Sequence, residues 1–400
     1  MSTCRICAGA VTEFLDLGRQ PLSDAFRLPD DPSEEFFYRL AVGVCGTCSM
    51  VQLMEEVPRE RMFHQDYPYV SQGSSVMRAH FRAAAERFLA AGASFIVELG
   101  CNDGTMLRVV AEAGVRHLGV EPSGAVADLA AAAGVRVRKD FFEEATAREI
   151  RAADGPADVI YAANTLCHIP YMGSILRGVD ALLADDGVFV FEDPYLGDIV
   201  ERTSFDQIYD EHFFLFSARS VDEMARRHGL ELVDVERLPV HGGEVRYTLA
   251  RPGARPRTSA VDELLAAEAD LASRTTLDGF ASRVQKIRSD LVTLLTDLRE
   301  RGERVVGYGA TAKSATVTNL CGIGPDLVEF ISDTTPAKQH RLAPGSGIPV
   351  RPPADFAADY PPYALLFAWN HAEEIMAKET AFRESGGKWI VYVPEVRVIG

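Results

Sequence analysis

The alternation of apolar and polar positions predicts the architecture of the middle of the chain. Short apolar runs predict buried strands at "FIVELG" (95–100), "HLGVEP" (117–122), "DVIYAAN" (158–164) and "GVFVFEDP" (187–194). Alanine-rich stretches such as "SVMRAHFRAAAERFLAAG" and "SGAVADLAAAAG" favour helices. Strands that alternate with helices are typical of a parallel, doubly wound sheet. Residues 76–255 are therefore predicted to form an α/β domain.

Two further regions flank this pattern. Residues 1–75 are turn-rich and framed by cysteines. After the Pro/Gly/Arg break "ARPGARPRTS" (250–259), a long helical region runs to about residue 301. A second strand-and-helix pattern then passes through "RVVGYGATAK", "LVEFISD" (327–333), "YALLFAW" (363–369) and "KWIVYVPEV" (388–396). Because 400 residues exceed one ordinary core, we expect three domains, 1–75, 76–255 and 256–400, the last a Rossmann-like α/β domain.

Composition and charge limit the classes of molecule that this chain is expected to bind. The formal charge of −17 argues against nucleic acid, because non-specific binding to it needs basic surface. No basic-then-apolar leader opens the chain and no apolar run is long enough to span a bilayer, so we expect a cytoplasmic protein without a membrane partner. The sequence does not specify an oligomeric state, and a monomer is the default expectation.

Four of the seven cysteines form two knuckles with metal-binding spacing. Each C-x-x-C pair can present two thiolates to one ion, and two pairs complete a tetrahedral Zn²⁺ site. Such a closed site leaves no position for substrate, so the zinc is expected to be structural. Cys101, Cys167 and Cys321 are isolated and are interpreted as packing residues. The predicted zinc ligands are Cys4, Cys7, Cys45 and Cys48.

The loop in "VELGCNDGTML" is typical of methyltransferases that bind S-adenosylmethionine. A carboxylate ends the strand, and glycines before the helix let the backbone approach a ligand. The acid can face the cationic methionine end of the cofactor. One position departs from the usual pattern, because an asparagine stands where many such loops have glycine. The candidate residues are Glu98, Gly100, Asn102 and Gly104.

Further cofactor contacts are expected at the ends of the next strands. Glu121, followed by Pro122, can accept both ribose hydroxyls. Asp140 and Phe141 follow the third strand, where an acid or backbone group and an aromatic ring bracket adenine. Asn164 ends the fourth strand and would also contact the cofactor. A dinucleotide fingerprint needs G-x-G-x-x-G, which "GCNDGT" does not supply.

A second glycine loop leaves three interpretations open. "VVGYGATAK" places Gly307-x-Gly309-x-x-Ala312 between a strand and a helix, with Asp333 ending the next strand. This pattern fits a nicotinamide-dinucleotide site, and hence an oxidoreductase. It also fits a loop that binds the phosphates of a nucleotide-linked substrate, with Lys313 and Ser314 beside the helix N-terminus. A tight turn required only by packing is the third interpretation.

Motifs along nearly the whole chain resemble one family, the S-adenosylmethionine-dependent sugar C-methyltransferases, which act on dTDP-4-keto-deoxysugars in antibiotic pathways. The resemblance implies an N-terminal zinc module, a central class I methyltransferase domain and a C-terminal α/β domain. It also implies that Lys313 and its loop contact a nucleotide-sugar. The motifs are "CRIC" with "CGTC", "LGRQPLSDAF", "YPYVSQGSSVMRAHF", "VELGCNDGTML", "ANTLCHIP", "YDEHFFLFS", "HGGEVR", and "GYGATAKSATVTN" with "ISDTTPAKQ".

The segment "YDEHFFLFS" carries the predicted proton chemistry. His212 is the candidate base because imidazole titrates near neutrality. Glu211 could orient His212 or act as the base itself, and Tyr209 could donate to the enolate oxygen or hold the sugar. His168 in "NTLCHIP" is a second candidate for polarising the ketone. The resemblance implies that the positions of these four residues surround the reacting sugar.

Other expected substrate contacts are less specific. Tyr67 or Tyr69 should lie near the cleft, and the resemblance places His241 and Glu244 of "HGGEVR" by the active site. The predicted reaction methylates the carbon next to the ketone of a dTDP-4-keto-deoxyhexose, at C3 by preference and at C5 as the alternative. A nicotinamide-dependent oxidoreductase and a non-catalytic zinc-and-nucleotide-binding module are the competing hypotheses.

Overall fold

The computed structural model describes residues 2–62 and 75–400, and in these ranges the named strands form three sheets. The first sheet begins beside the cysteines and is antiparallel. Cys45 is the last residue of its second strand, so the strand leads directly into the second knuckle. Its local elements are β1 (Val11–Pro21), β2 (Phe37–Cys45), β3 (Val51–Leu53) and a one-turn helix, α1 (Arg59–Met62).

The central region alternates strands and helices as the sequence predicts. All four strands predicted from apolar runs are present, although the fourth begins four residues earlier, at Leu183. The elements are α2 (Ser75–Ala90), β4 (Phe95–Leu99), α3 (Thr105–Glu112), β5 (Arg116–Val120), α4 (Gly124–Ala132), β6 (Val137–Arg138), α5 (Glu144–Asp154), β7 (Ala157–Ala163), α6 (Met172–Leu182), β8 (Leu183–Pro194), α7 (Leu196–Arg202), β9 (Phe214–Leu215), α8 (Ala218–Arg227), β10 (Glu231–Leu238) and β11 (Glu244–Ala250).

The central sheet has the strand order β10-β11-β8-β7-β4-β5-β6. The pairs from β8 to β6 are parallel, and β11 is antiparallel to both of its neighbours. Consecutive strands depart to opposite sides of β4, with β5 on one side and β7 on the other. In open α/β sheets such a reversal of strand order opens a crevice at the carboxyl ends of the strands. The loops after β4, β5 and β7 meet at this crevice.

Strand β9 departs from the expected segmentation. Although it follows the central strands in sequence, it pairs with β3 and extends the first sheet to the order β1-β2-β3-β9. Phe214 and Leu215 thereby join the zinc-module sheet, while Phe216 bridges to Tyr195 of the central region. The segment that carries the predicted proton chemistry is therefore shared between two parts of the fold.

The C-terminal region forms a six-stranded sheet of order β14-β13-β12-β15-β16-β17, parallel except for the last pair. The strand predicted at 327–333 is reduced to two residues, because its neighbour β14 offers only two residues for pairing. The elements are α9 (Ser259–Ala267), α10 (Arg274–Glu300), β12 (Val305–Tyr308), α11 (Ala312–Cys321), β13 (Ile331–Ser332), β14 (Val350–Arg351), α12 (Pro353–Ala358), β15 (Tyr363–Leu366), α13 (Ala372–Lys378), α14 (Thr380–Glu384), β16 (Lys388–Val391) and β17 (Arg397–Ile399).

The helical region before this sheet is two helices rather than one. Between them, the buried carboxylate of Glu268 accepts the backbone N–H groups of Ala218 and Arg219 at 2.8 Å each, at the start of α8. The residues between α9 and α10 therefore cap the N-terminus of α8, because the unpaired backbone N–H groups there favour an acidic partner. None of the helices in the described ranges combines the length and apolar character needed to cross a bilayer.

Helix α10 joins the three regions. Its N-cap Ser273 accepts the N–H of Thr276, and its buried residues recur every three or four positions, which is one face of a helix. Arg283 donates to the carbonyl of Val200 at 2.6 Å and to the hydroxyl of Thr203 at 2.9 Å. The buried face consists of Leu277, Phe280, Val284, Ile287, Leu291, Leu295 and Leu298.

Candidate active site

The loop after β4 adopts the left-handed backbone that its glycines permit. Gly100 and Gly104 have φ values of 67° and 73°, and Asn102 between them has φ of 50°. A Cβ at Gly100 would lie 2.5 Å from the Thr165 hydroxyl, so no larger residue fits there. Asparagine tolerates this conformation better than most side chains. Asn102 therefore performs the backbone role expected of glycine at this position.

Glu121 is held by this loop. Its carboxylate accepts the N–H of Asn102 at 2.9 Å through Oε2 and the N–H of Ser123 at 2.8 Å through Oε1. Burial raises the pKa of Glu121, while these two amide donors act in the opposite direction. The carboxylate is thus oriented at the carboxyl end of β5, where the predicted ribose contact requires it.

These loops surround a cleft of about 920 Å³, measured to its open mouth. The cleft brings together seven of the residues predicted from sequence, six of them as cofactor contacts and one as a catalytic residue. These seven are Gly100, Asn102, Glu121, Pro122, Phe141, Asn164 and His168.

Three predicted cofactor residues do not line this cleft. Glu98 lies beneath the loop, 4% exposed, and its Oε2 has no hydrogen-bond partner in the described ranges. Burial, and then the charge of Asp103, raises the pKa of Glu98 well above its usual value. Gly104 packs against Ala130, since a Cβ there would approach the alanine Cβ to 3.0 Å.

Asp140 departs furthest from its predicted role. Its carboxylate accepts the guanidinium of Arg138 at 2.8 Å, and its side chain is absent from the cleft lining. Phe141, the next residue, does line the cleft. Of the two residues predicted to bracket adenine, Phe141 therefore lines the cleft and Asp140 does not.

The segment with the predicted base is held by the C-terminal region on one side. The Asp206 carboxylate accepts the indole N–H of Trp369 and the hydroxyl of Tyr392, each at 2.6 Å. The carbonyl of Ile208 accepts the Thr316 hydroxyl at 2.9 Å. Asp206 is 0% exposed, so these two donors satisfy a carboxyl oxygen that water does not reach.

The zinc module and the central region hold the same segment elsewhere. Asp210 accepts the backbone N–H of Ser23 at 3.0 Å, and the carbonyl of Phe213 accepts the N–H of Leu53 at 2.8 Å. Gln207 donates its side-chain amide to the carbonyl of His241 at 2.6 Å. Hydrogen bonds from all three regions therefore fix residues 206–213.

The hydrogen bonds of His212 define its tautomer. Nδ1 lies 2.6 Å from the carbonyl oxygen of Gln207, which can only accept, so Nδ1 carries the proton. Nε2 lies 2.7 Å from the Tyr209 hydroxyl and therefore accepts its proton in a hydrogen bond. The Nε2 lone pair is thus the basic site of this imidazole, and Tyr209 covers it.

Desolvation keeps this group of side chains uncharged. Burial lowers the pKa of His212 well below 6.5 and that of His168 to about 4. The two rings stack, with centroids 5.3 Å apart and planes inclined by 19°. Burial, and then the charge of Glu211, raises the pKa of Tyr209 well above 10. Both histidines are therefore neutral and the tyrosine is protonated near neutral pH.

Cys167 lies closer to the chemistry than sequence reasoning indicated. It is 1% exposed, as expected for a packing residue, yet its sulfur lies within 4.8 Å of a nitrogen of His168 and one of His212. A Cys/His/His set can bind a metal ion. Here both nitrogens of His212 are engaged, one by Gln207 and the other by Tyr209. Because neither nitrogen of His212 is free for a metal ion, this set of side chains is better suited to proton transfer than to metal binding.

The second glycine loop differs from both predicted ligand sites. Asp333 accepts the N–H of Ala310 at 2.7 Å and that of Thr335 at 2.7 Å, so its two oxygens bind its own backbone. Ser314, which is 2% exposed, donates to the carbonyl of Thr311 at 2.6 Å within its helix turn. Neither arrangement favours a dinucleotide ribose or a phosphate at this loop.

Lys313 points instead toward the junction with the central region. Its Nζ lies 5.2 Å from the ring centroid of Trp369, and burial lowers the pKa of its ammonium group. Asp206 and Glu244 are the carboxylates whose charges act on it. Glu244 is 0% exposed, and neither of its carboxylate oxygens has a hydrogen-bond partner in the described ranges.

His241 lies at the same junction. Its Nε2 is unpartnered within the described residues, and burial lowers its pKa to about 3. Its φ of 49° precedes two glycines with positive φ, so the backbone turns sharply into β11. Tyr67 and Tyr69, the remaining predicted substrate contacts, fall outside the described residues.

Comparison with known proteins assigns each region to a family. Three family models match in order: "Putative zinc binding domain" at residues 4–63, "Methyltransferase domain" at 72–235 and "C-methyltransferase C-terminal domain" at 239–394. The C-methyltransferase NovU of Streptomyces niveus is 36% identical over 408 aligned positions, which cover 99% of this chain and 96% of NovU.

The chain belongs to the C-methyltransferase family. The expected class I methyltransferase fold is confirmed by the central family model, and the match to the C-terminal domain model includes the glycine loop at 307–312. S-adenosylmethionine is the methyl donor of this enzyme, and zinc is its metal.

The matches to solved structures cover less than half of this chain. A methyltransferase from Anabaena variabilis is 18% identical, with a TM-score of 0.36, and the match covers 46% of this chain and 87% of that one. Magnesium protoporphyrin IX methyltransferase from Synechocystis, with bound cofactor, is 10% identical, with a TM-score of 0.34 and coverage of 44% and 79%. These scores are too low to support a conclusion about this C-methyltransferase.

The four knuckle cysteines fit zinc. Their sulfur atoms all lie within 4.8 Å of one another, with Cys4 to Cys48 at 3.5 Å and Cys7 to Cys45 at 3.3 Å. Tetrahedral zinc thiolates place sulfurs roughly 3.8 Å apart. A Cβ at Gly9 would come within 3.1 Å of two of these sulfurs, so the first knuckle requires glycine there.

The cleft at the central sheet fits S-adenosylmethionine. Glu121 offers two oriented acceptors for a ribose diol, and Phe141 offers an aromatic face at the cleft wall. The unpartnered Oε2 of Glu98 beneath the loop is a buried acceptor suited to an amino group. The two features that line the cleft match the ribose and the adenine of the cofactor.

Sequence reasoning missed the contribution of the zinc module to this cleft. Arg59 reaches the cleft from α1, stacks its guanidinium on Phe141 at 4.1 Å and Tyr171 at 4.7 Å, and binds Glu143 at 2.9 Å. Nothing in "VPRERMF" distinguishes this arginine from the two charged residues beside it. Only the docking of the two regions reveals its position.

The zinc site generates one testable expectation. Cys45→Ser should lower zinc content below one ion per chain and lower the midpoint of thermal unfolding by more than about 5 °C, because the metal supplies folding free energy. Metal analysis and circular dichroism measure the two effects. Cys321→Ser, which removes a buried thiol far from the knuckles in sequence, should leave the zinc content unchanged. Full zinc occupancy in Cys45→Ser would contradict the four-thiolate site.

The cleft generates a second expectation. Glu121→Gln should weaken S-adenosylmethionine binding by roughly 10-fold to 100-fold, because one charged acceptor of a ribose hydroxyl is lost. Asp140→Asn should change the dissociation constant by less than about threefold, because its carboxylate faces Arg138. Calorimetric titration of both variants distinguishes these roles. A larger loss in Asp140→Asn than in Glu121→Gln would reverse the assignment made from the geometry.

Proposed function

We propose that this enzyme transfers a methyl group to the carbon next to the ketone of a dTDP-linked 4-keto-deoxyhexose. The observation that carries the proposal is the Nε2 lone pair of His212. It is a buried base of defined tautomer, stacked on a residue that lines the cofactor cleft. The similarity to NovU and the family motifs support a sugar substrate, and the family itself establishes methylation at carbon.

Methylation at carbon requires the chain to handle a C–H proton. A proton next to a ketone becomes removable when a base lies close and the enolate oxygen receives a hydrogen bond. When bound, S-adenosylmethionine supplies an electrophilic methyl group and leaves as S-adenosylhomocysteine. The protein's own task is then to remove one proton and to stabilise one negative charge.

In the proposed reaction, Nε2 of His212 takes the proton from the α carbon. The electrons of that C–H bond form the enolate, whose carbon then bonds to the methyl group as the ketone is restored. The carbonyl of Gln207 accepts from Nδ1 throughout and so stabilises the imidazolium. The proton leaves to solvent after product release.

Tyr209 is proposed as the donor to the keto oxygen. Its hydroxyl covers Nε2, so substrate must displace it before His212 can act. Because burial raises its pKa well above 10, the hydroxyl keeps its proton and remains a hydrogen-bond donor. Glu211 and His168 complete the proposed hexose site. His168, neutral and lining the cofactor cleft, lies between donor and base.

Lys313, His241 and Glu244 are proposed to contact the hexose rather than the nucleotide. The charge of Lys313 acts on both His212 and His241, which places the ammonium within electrostatic range of the base. Unpartnered polar atoms on His241 and Glu244 lie at the same junction. A sugar bearing several hydroxyl groups would supply their missing hydrogen bonds.

The competing hypotheses have less support. The oxidoreductase interpretation loses its basis, because Asp333 binds backbone amides and the glycine loop lies within a C-methyltransferase domain match. A non-catalytic module has no use for a buried base of fixed tautomer beside a cofactor cleft. Methylation at C3 stays our preference, with C5 as the alternative.

A substrate panel tests the function. The zinc-loaded enzyme is incubated with methyl-labelled S-adenosylmethionine and a set of dTDP-4-keto-deoxyhexoses, and the products are analysed by mass and proton coupling. We expect the label on a ring carbon next to C4, with C3 favoured. Matched UDP-linked sugars and dTDP-glucose, which lacks the ketone, serve as controls. Label on oxygen, or no transfer to any keto sugar, would overturn the proposal.

Variants and pH test the proposed base. His212→Asn should reduce kcat by roughly 10²-fold to 10⁴-fold, and Tyr209→Phe by roughly 10²-fold, with S-adenosylmethionine affinity unchanged. Because burial lowers the pKa of His212 below 6.5, the base stays unprotonated and kcat/KM should remain level as pH falls through 6.5, declining only at lower pH. Exchange of the substrate α proton in D₂O gives an independent readout. A rate that falls with an apparent pKa of 6.5 or higher would contradict this assignment.

A further inference from the structure

Gln207 forms hydrogen bonds with two histidines of the site at the same time. Its backbone carbonyl accepts from Nδ1 of His212 at 2.6 Å, and its side-chain Nε2 donates to the backbone carbonyl of His241 at 2.6 Å. The residue is 2% exposed, so water does not compete for either bond. The proposed reaction uses only the carbonyl and leaves the side-chain amide without a chemical task.

The carbonyl that binds His212 lies where local secondary structure gives it little support. Residues Phe205–Gln207 form a single 3₁₀ turn, which gives way to extended backbone at Ile208, with φ of −97° and ψ of 110°. The last carbonyls of a helical turn have no partner within that turn. The direction of this C=O bond therefore depends on contacts made from outside the turn.

The Gln207 carbonyl decides between the two tautomers of His212, because the other hydrogen bond of the ring is compatible with both. The Tyr209 hydroxyl lies 2.7 Å from Nε2, and a hydroxyl can either donate or accept. A carbonyl oxygen can only accept. If the carbonyl turned away, Tyr209 would accept from a protonated Nε2 as readily as it now donates to the lone pair.

The residues on either side of Gln207 are anchored by the C-terminal region. The Asp206 carboxylate accepts the indole N–H of Trp369 at 2.6 Å. The carbonyl of Ile208 accepts the Thr316 hydroxyl at 2.9 Å. The side chain of Gln207 itself is anchored by the central region, at the turn before β11. Contacts from both regions therefore converge on the peptide group that binds the imidazole.

The turn at 241–243, which receives the Gln207 amide, is closely packed. Gly242 has φ of 95°, in the left-handed region that favours glycine. A Cβ there would lie 2.8 Å from Nε2 of Gln207 and 2.8 Å from the Trp369 ring. Arg202 donates to the carbonyl of Gly242 at 2.9 Å. The carbonyl at the start of this turn is therefore a fixed acceptor for the amide.

We propose that Gln207 is a positioning residue for the base, and that its side-chain amide, held by the turn at 241–243, sets the direction of the carbonyl that binds His212. The inference rests on the proposed function, in which Nε2 of His212 takes the α proton. Without the amide anchor, the carbonyl no longer holds the ring proton on Nδ1. The imidazole then also populates the tautomer with its proton on Nε2, which has no lone pair for the substrate.

Gln207→Met tests this role, because it keeps the backbone carbonyl and the length of the side chain and removes the donor. We expect kcat with a dTDP-4-keto-deoxyhexose to fall by about 10-fold to 100-fold, since small misplacements of a catalytic group cost that much. Exchange of the substrate α proton in D₂O should slow by the same factor. KM for the sugar and S-adenosylmethionine affinity should stay within about threefold, because Arg202 still holds the turn.

Nitrogen NMR of the zinc-loaded enzyme with ¹⁵N-labelled histidine reports the tautomer directly. The signals of His212 are those that disappear in His212→Asn. In the parent enzyme at neutral pH, we expect Nδ1 to resonate as a protonated ring nitrogen and Nε2 as an unprotonated one. In Gln207→Met the two chemical shifts should move toward each other. Unchanged shifts in this variant would overturn the inference, whatever happens to the rate.

Gln20→Met is the matched control. Gln20 is also 2% exposed, and it donates its side-chain amide to the backbone carbonyl of Leu17 at 2.9 Å in the zinc module. Its replacement should lower the midpoint of thermal unfolding about as much as Gln207→Met does, since each removes one buried hydrogen bond. It should leave kcat and the His212 shifts unchanged. An equal loss of kcat in both variants would reduce the effect to stability and contradict the positioning role.

Gly242→Ala approaches the same contact without changing Gln207. The added methyl group would lie 2.8 Å from the Gln207 amide nitrogen and displace it. We expect the His212 shifts to converge as in Gln207→Met, and unchanged shifts in the folded variant would speak against the inference. Converged shifts in both variants, together with full activity of His212→Asn, would support the positioning of the ring and count against the proposed function alone.

Discussion

The burial of residues 205–216 by three regions at once is the constraint on which the site depends. This segment has little secondary structure of its own, and its shape comes from partners that lie far away in sequence. Trp369 and Tyr392 hold Asp206, Thr316 holds Ile208, and Ser23 holds Asp210. The active centre therefore exists only where the zinc module, the methyltransferase sheet and the C-terminal sheet meet.

Desolvation at this meeting point determines the chemistry. Charging an imidazole away from water is unfavourable, so burial lowers the pKa values of His168 and His212 together. The same effect keeps Tyr209 protonated. A neutral imidazole beside a protonated phenol suits the proposed reaction, in which charge appears only transiently. The carbonyl of Gln207 defines the tautomer of His212, because it accepts a hydrogen bond from Nδ1 and leaves the lone pair on Nε2.

Sequence predicted best where local pattern and chemistry coincide. The strand ends that carry Gly100, Glu121 and Asn164 were predictable, because a parallel sheet brings its carboxyl ends to one edge and glycine or asparagine marks the turns. The two cysteine knuckles were predictable from spacing alone, since two C-x-x-C pairs suffice to define a tetrahedral site.

Features that depend on docking escaped sequence reasoning. Arg59 enters the cofactor cleft from another region, and Asp140 turns away to Arg138, which no local pattern indicates. The glycine loop at 307–312 has the spacing of a dinucleotide-binding fingerprint. In the structure, however, the Asp333 carboxylate accepts the backbone N–H of Ala310 in this loop. A charged cleft between residues 22–26 and 337–341 is formed by segments more than three hundred residues apart in the sequence. Such features are properties of the tertiary fold and not of any window along the chain.

The pairing of β3 with β9 has a consequence for how this chain is made. The edge of β3 has no partner until the ribosome has delivered residues 214–215, after the whole stretch from 54 to 213 has emerged. An unpaired strand edge is a template for association with other chains. Until those residues are made, the edge of β3 stays open. The strand that closes that edge begins two residues after His212, the proposed base, so the same short segment completes the sheet and carries that imidazole.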